Sequence, residues 1–419
     1  MQKIRLLWIV GYVLPDAVGD GGEGMVFGGW VSEMVRELSI TKHVVLGVAM
    51  KASVDELIKK EVQDVTYYYV PQERTYDVNE AASIQVLNDF KPELLHAEGS
   101  ELAYTNTFLR NWKGKNVVSL QGVINGYEPY EYGGLNIDDF LFTLNLRNFF
   151  FAISMIANKK LRFNNRIKLE RDTICRAENI LGRTLWDRSQ SFAINQKAPY
   201  FYCARNLRKP FYEKRWDIES KEDFSIFIGN SASPRKGAHF VLEAVGQLKK
   251  EFREVKLYIA GDTPFPNSRW DWKKRIGYSS YLLRRIEKLG LQRSVEFLGN
   301  LNEEQMSDRL SRIHVYVMAS VIENSPNTLG EAMIMGVPSV SSFNGGVPSM
   351  ASDDTETLYY RDNDPRMMAF QIRRIFTNDE LALRLSENGR IKALDTHDRN
   401  KNVQLLLRTY ETIMERDVL

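Results

Sequence analysis

The sequence predicts an α/β protein built as two similar halves, each an open, mostly parallel sheet with helices on both faces. Three observations predict it. Short, nearly all-apolar β-rich runs alternate with longer helical stretches from one end of the chain to the other. The length, 419 residues, is that of two large or three ordinary domains at about 150 residues each. A polar, charged stretch from Arg205 to Asp223 breaks the alternation, and a second series of strands begins after it.

In chain order, the first series comprises Ile4–Val10, Val44–Ala49, Thr66–Val70, Leu94–Ala97, Val117–Leu120 and Asn179–Gly182. Continuously apolar runs of this length suit parallel strands covered on both faces. The second series comprises Phe224–Ile228, Lys256–Ala260, Val295–Leu298, His314–Met318 and Ser339–Ser342. Val403, Leu406, Leu407, Tyr410 and Ile413 fall at helical spacing and mark a docking helix over the last turns. The expected domains are 1–205 and 224–399, joined by a linker at 206–223, with a C-terminal helix at 400–419 docking back on the first domain. The deepest cleft is expected between the two sheets.

Composition excludes several classes. Hydrophobic residues at 43% and charged residues at 26% describe an ordinary folded chain. Lysine and arginine number 56 against 54 acidic residues, a net charge of +2, too near neutral for a protein whose affinity rests on neutralising nucleic-acid phosphates. Two cysteines, Cys175 and Cys203, make neither a disulfide framework nor a four-thiolate metal site. Lys3 and Arg5 before the apolar run Leu6–Leu14 resemble a short signal peptide, but a buried first strand accounts for the same residues. No apolar stretch approaches 18 residues, the longest candidate being Phe149–Ala157, so no transmembrane helix is expected.

After the first strand, Gly19, Gly21 and Gly24 make a G-x-G-x-x-G. A nicotinamide site would want an acidic residue at the end of the second strand, where Ala49, Met50 and Lys51 stand. What remains is a glycine-rich turn whose backbone amides can approach an anion, or simply a surface loop.

The most informative segment is HVYVMASVIENSPNTLGEAMIMGVPSVSSFNGGVP, His314–Pro348. A buried strand ends near Ser320, and a polar loop carries Glu323, Asn324 and Ser325. Ser325 is expected as helix N-cap and Pro326 as first helical residue, and Gly336 with Pro338 stops the helix. Such a loop opens at the carboxyl end of a sheet, where α/β sites collect. Glu323 and Glu331 flank the helix N-terminus, whose free amides attract a phosphate. Two carboxylates beside such a pocket make sense if they accept hydrogen bonds from hydroxyls.

Here the chain resembles the retaining nucleotide-sugar glycosyltransferases of family 4, the glycogen-synthase-like group with the GT-B fold of two facing Rossmann-like domains and an interdomain cleft. The match to their E-x7-E signature runs from Glu323 to Pro338, and FIGNSASPRKG at Phe227–Gly237, LYIAGD at Leu257–Asp262, VEFLGNL at Val295–Leu301 and GGVP at Gly345–Pro348 extend it. The resemblance implies a hexosyltransferase that moves a sugar from a nucleotide diphosphate sugar to a hydroxyl acceptor with retention, in assembly of a bacterial surface polysaccharide or glycolipid. It implies Glu323 on donor-sugar hydroxyls, Glu331 on ribose hydroxyls, Asn324, Ser325, Pro326, Asn327, Thr328 and Leu329 as the loop and helix start that meet sugar and phosphate, and Lys236 on the diphosphate. Gly22 and Gly24 join the donor contacts. The second domain would hold the donor and the first a saccharide or lipid-linked saccharide acceptor. No cofactor, metal or nucleic acid is implied, and the location would be cytoplasmic, at or near the inner face of the membrane.

Two positions depart from that pattern. The family's arginine after the first strand of the second domain is Asn230 here, with Arg235 as a candidate substitute. A histidine usual in the first domain is Gln121, which can donate a hydrogen bond to a sugar but cannot take a proton near neutral pH. His96 and Glu98 are further candidate sugar or acceptor contacts; the other histidines suit structural roles. Asp362-Asn363-Asp364 imitates a metal-binding triplet, but its place before Pro365 suits a solvated turn. The basic segment 144–171, with interleaved aromatic residues, suits either an anionic membrane surface or a packed amphipathic helix; Arg269–Arg293 leaves the same two readings open. A nucleotide-sugar 2-epimerase of the same fold and a catalytically silent sugar-nucleotide-binding protein are the alternatives.

Overall fold

The computed structural model describes residues 3–18, 29–74, 77–136, 139, 163–264 and 277–416. Gly19, Gly21, Gly22 and Gly24, Phe149–Ala157, most of the basic segment 144–171 and the start of Arg269–Arg293 lie outside the described residues. The chain forms two compact units. One comprises Met1–Gly126, Phe163–Asn206 and His397–Leu419, the other Tyr127–Arg162 and Leu207–Thr396.

The first unit is a nine-stranded sheet: β1 (Ile4–Val10), β2 (Val44–Ala52), β3 (Ile58–Val62), β4 (Val65–Arg74), β5 (Asp77–Val78), β6 (Leu94–Glu98), β7 (Lys115–Ser119), β8 (Ile180–Gly182) and β9 (Tyr200–Tyr202). Its order is β3-β4-β2-β1-β6-β7-β8-β9, with β5 paired to β4. The central strands are parallel: Leu6 pairs with Leu46 on one side and Leu94 on the other. Both faces are covered, which is why Leu6, Leu7, Trp8, Ile9 and Val10 are all buried. β3, absent from the sequence reading, runs antiparallel at the edge. Its residues IKKEV are almost wholly exposed, and lysines on an edge strand oppose pairing with other chains. Gln63 and Asp64, both at positive φ, make the two-residue turn into β4.

The second unit is an all-parallel sheet of β10 (Glu222–Ile228), β11 (Lys256–Ala260), β12 (Val295–Gly299), β13 (Ile313–Met318), β14 (Ser339–Ser342) and β15 (Leu358–Tyr360), in the order β12-β11-β10-β13-β14-β15. The segment 206–223 does more than join two sheets. It carries a helical turn at Pro210–Glu213; Phe211 and Trp216 are buried in this unit's core, and the Trp216 indole donates to the Ile313 carbonyl at 2.7 Å. The last helix, Arg399–Glu415, belongs to the first unit and buries Val403, Leu406, Leu407, Tyr410 and Ile413.

Gly237 ends the tight turn Pro234–Lys236 at φ 73°. A Cβ there would lie 1.9 Å from the Ala319 carbonyl oxygen. Both the backbone conformation and the space therefore require glycine. Gly237→Ala is expected to lower unfolding free energy by at least about 3 kcal/mol, as read in urea melts; a loss within about 0.5 kcal/mol would show that the turn relaxes freely.

Candidate active site

β10 and β13 are adjacent parallel strands, so the loops leaving their carboxyl ends are neighbours. The β10 loop leads through Asn230 to the turn Pro234–Lys236; the β13 loop carries Glu323 and Asn324 to the helix Asn327–Met335. The two are tied by the Val321 amide, which donates to the Arg235 carbonyl at 2.9 Å. This register brings Lys236 Nζ to 2.5 Å from Glu323 Oε1 and Arg235 Nη1 to 3.8 Å from the same oxygen. Glu323 is buried. Burial alone would raise its carboxyl pKa, but Lys236 first and then Arg235 outweigh it and hold the pKa below the usual carboxylate range.

The Glu323 backbone is fixed as firmly. Its amide donates to Asn344 Oδ1 at 2.9 Å, and its carbonyl accepts from the Gly346 amide at 2.9 Å. Gly345, at φ 47°, has its α-carbon so close that a Cβ would sit 2.1 Å from the Glu323 carbonyl oxygen. That contact gives the Gly-Gly-Val-Pro segment its physical role: it clamps the loop that presents Glu323.

The helix begins one residue later than expected. Pro326 is the N-cap, extended at φ −68° and ψ 113°, and Asn327 is the first helical residue; Ser325 is therefore not the cap. Proline has no side-chain acceptor, so it cannot cap the first-turn amides, and these lie at the positive end of the helix dipole. Ser325, Pro326, Asn327 and Thr328 are half-buried and Leu329 is buried. Thr328 Oγ1 accepts from the Tyr316 hydroxyl at 2.8 Å. Asn324 is buried, and its amide donates to the Tyr127 hydroxyl at 3.0 Å. The Tyr127 ring also faces the Arg235 guanidinium at 4.8 Å. Asn230 folds its own loop, accepting from the Ala232 amide at 2.7 Å.

Glu331 lies inside the helix, buried, and both its oxygens are gripped by one guanidinium: Arg208 Nε donates to Oε1 at 2.8 Å and Nη2 to Oε2 at 2.9 Å. Burial raises this carboxyl, and Arg208 only partly opposes it. Arg208→Ala strands a buried charge and should cost about 3 kcal/mol; the double variant with Glu331→Gln should recover most of that loss. Simple additivity in denaturant melts would mean that the pair is not coupled.

In the first unit, Gln121 Nε2 donates to Glu98 Oε2 at 3.4 Å. His96 is fully buried, and both ring nitrogens are engaged. The Trp8 indole, a donor only, gives its hydrogen to the Tyr410 oxygen at 3.0 Å. His96 Nδ1 shares a hydrogen bond with the Tyr410 oxygen at 2.6 Å, and Nε2 shares one with Ser119 Oγ at 2.6 Å. Burial pushes the ring down to about 4. His96 is thus a neutral internal link rather than a group presented to a sugar.

Asp364 caps the helix Pro365–Phe376, accepting from the Arg366 and Met367 amides, which accounts for the acidic triplet as a turn and a cap. Among the described residues there is no group of three or more histidine, cysteine or acidic side chains able to hold a metal, and no helix is long and apolar enough to cross a membrane. Sequence reasoning missed Arg208 and Tyr127. Arg208 lay in a stretch whose charge masked its buried Phe211 and Trp216; Tyr127 is distant in sequence from every strand it serves.

Residues 208–392 match the family model of glycosyl transferases group 1. Alpha-D-kanosaminyltransferase of Streptomyces kanamyceticus is 27% identical over 182 residues, 43% of this chain and 43% of that protein. The chain spans less than half the length of the curated relatives it matches. Among solved structures, Anabaena Alr3699/HepE in complex with UDP-glucose superposes with a TM-score of 0.68 at 12% identity, covering 97% of this chain and 99% of that one. WaaG, a glycosyltransferase involved in lipopolysaccharide biosynthesis, gives 0.65 at 15% identity, covering 96% and 99%. The fold is that of the GT-B structures, and the match to group 1 glycosyl transferases covers residues 208–392, less than half of the chain.

Proposed function

We propose that this protein is a retaining hexosyltransferase that moves a sugar from a nucleotide diphosphate sugar to a hydroxyl of a saccharide or lipid-linked saccharide. The observation that carries the reading is the cluster of Lys236, Arg235 and Glu323 beside a helix start that its own N-cap proline cannot cap. Two cations and free helix amides suit a diphosphate, while an ionised carboxylate among them suits sugar hydroxyls. Glu331, whose oxygens keep lone pairs beyond those Arg208 uses, suits the ribose. Donor binding falls to the second unit and acceptor binding to the first. Gln121 cannot serve as a base, so the departing phosphate oxygen takes the acceptor proton, as front-face transfer with retention requires. The reaction needs no metal or cofactor in this scheme.

The names of the relatives support a role in bacterial surface polysaccharide or glycolipid assembly, and on this reading the protein works at the cytoplasmic side of a membrane. The test is incubation with uridine, guanosine and adenosine diphosphate sugars, with and without saccharide acceptors. Acceptor-dependent release of nucleoside diphosphate, with product of unchanged anomeric configuration, is the expected result. An isomerised donor would instead identify an epimerase, and saturable binding without product would identify a silent binding protein.

A further inference from the structure

The stretch that opens with Tyr127 belongs to the second unit and lies against the turn carrying Arg235 and Lys236. A Cβ on Gly133 would sit 2.2 Å from the Pro234 carbonyl oxygen. The Gly133 carbonyl accepts from His239 Nε2 at 3.1 Å, and Leu135 packs on the core of this unit. These contacts secure one end of the stretch. The other end is Tyr127, last residue of the short helix Ile124–Tyr127, and it touches both loops of the candidate site with different parts of one side chain.

The hydroxyl accepts from the Asn324 amide at 3.0 Å. That N–H shares a peptide plane with the Glu323 carbonyl, which accepts from the Gly346 amide at 2.9 Å. The plane is thus held at both edges, by Gly346 on one side and Tyr127 on the other. With the Glu323 amide fixed on Asn344 Oδ1, the backbone is set on both sides of the Glu323 side chain. Asn324 is 1% exposed, so bulk water does not stand in for the phenol.

The ring faces the Arg235 guanidinium at 4.8 Å from its centroid, inside the roughly 6 Å reach of a cation–π contact. The hydrogen bond from Arg235 Nη1 to the Ile322 carbonyl is long, 3.4 Å, and the Glu323 carboxylate stands 3.8 Å away, beyond hydrogen-bonding distance. A guanidinium so loosely bonded has several orientations open to it, and an aromatic face laid across it selects one.

We propose that Tyr127 is a positioning residue of the donor site: its ring fixes the Arg235 cation that meets a diphosphate, and its hydroxyl fixes the peptide that orients Glu323. The proposal rests on the transferase reading above.

Separable effects of ring and hydroxyl are what a merely structural role would not produce, and variants of the full chain read them. Inorganic pyrophosphate is titrated by calorimetry at constant ionic strength, and turnover is followed as acceptor-dependent release of nucleoside diphosphate. Tyr127→Leu removes both parts and should weaken pyrophosphate binding about tenfold, by about 1.4 kcal/mol. Arg235→Gln should weaken it by a similar factor, and the double variant should bind within about twofold of Arg235→Gln alone, because the ring acts through that guanidinium. Tyr127→Phe keeps the ring, so pyrophosphate affinity should stay within about threefold of the parent while turnover falls at least about fivefold with the lost acceptor. This variant decides the matter where Tyr127→Leu does not fold. Full additivity of Tyr127→Leu with Arg235→Gln, or parental turnover in Tyr127→Phe, overturns the proposal. Lys236→Ala separates it from the donor site itself. Pyrophosphate that binds the parent and this variant alike, or binds neither, removes the donor reading and the proposal with it; binding that needs Lys236 and Arg235 but not Tyr127 removes the proposal alone.

Discussion

Lys236→Ala is expected to lower turnover about a hundredfold, equivalent to about 2.7 kcal/mol of transition-state stabilisation. Two effects combine. The ammonium lies where a diphosphate would approach, so its loss leaves the charge developing on the leaving group met by Arg235 and helix amides alone. It is also the nearer of the two cations keeping Glu323 ionised against burial. Without it, the Glu323 carboxyl rises, and the acid limb of the pH–rate profile moves to higher pH. Part of the lost activity should therefore return as the pH is raised. Glu323→Ala should lose as much but show no such recovery, because no carboxyl remains to ionise. Near-normal turnover in both variants, measured as acceptor-dependent nucleoside diphosphate release, would remove this cluster from the chemistry.

Acid should unfold the protein steeply, beginning well above the range where carboxylates titrate. His96, His239, His314 and His397 are buried, and burial first pushes each down to about 4 from 6.5. Between those values the unfolded chain binds protons that the folded chain refuses, so stability is full above pH 6.5 and falls as pH drops toward 4. The Glu101 carboxyl, raised to about 7 by burial first, takes up a proton in the fold over the same range and offsets about one of these four, so the slope can approach three protons, or about 4 kcal/mol per pH unit. The depressed Glu323 carboxyl acts in a lower window, contributing stability that is lost only as pH falls below the ordinary carboxylate value. Urea melts from pH 7.5 to 4.5 measure the slope. Replacing His96 by asparagine should flatten it by about one proton, whatever its effect on stability at neutral pH. A flat profile above pH 5 would mean that these rings are protonated within the fold.

The alternation of apolar runs was enough to place the central strands of both sheets. Ile4–Val10, Lys256–Ala260 and Ser339–Ser342 have the bounds expected of them, because a strand buried on both faces leaves an unbroken apolar signature. β3 left none, since an exposed edge strand selects for lysine and glutamate. The site was legible where one short segment holds it: Glu323, the helix start and Glu331 lie within nine residues. It was illegible where tertiary structure supplies the partner. No periodicity ties Arg208 to Glu331 across 123 positions, or Tyr127 to the Asn324 amide across 197. The role of Gly345, by contrast, follows from a clash that only coordinates can reveal.

The helix Arg399–Glu415 closes the wall of the first unit, with Tyr410 wedged between Trp8 and His96. During synthesis on the ribosome, the amino-terminal sheet therefore emerges long before the piece that seals it, while 207–396 is already whole. The stretch 207–396 can therefore fold while the flank that Arg399–Glu415 covers in the first unit is still without it.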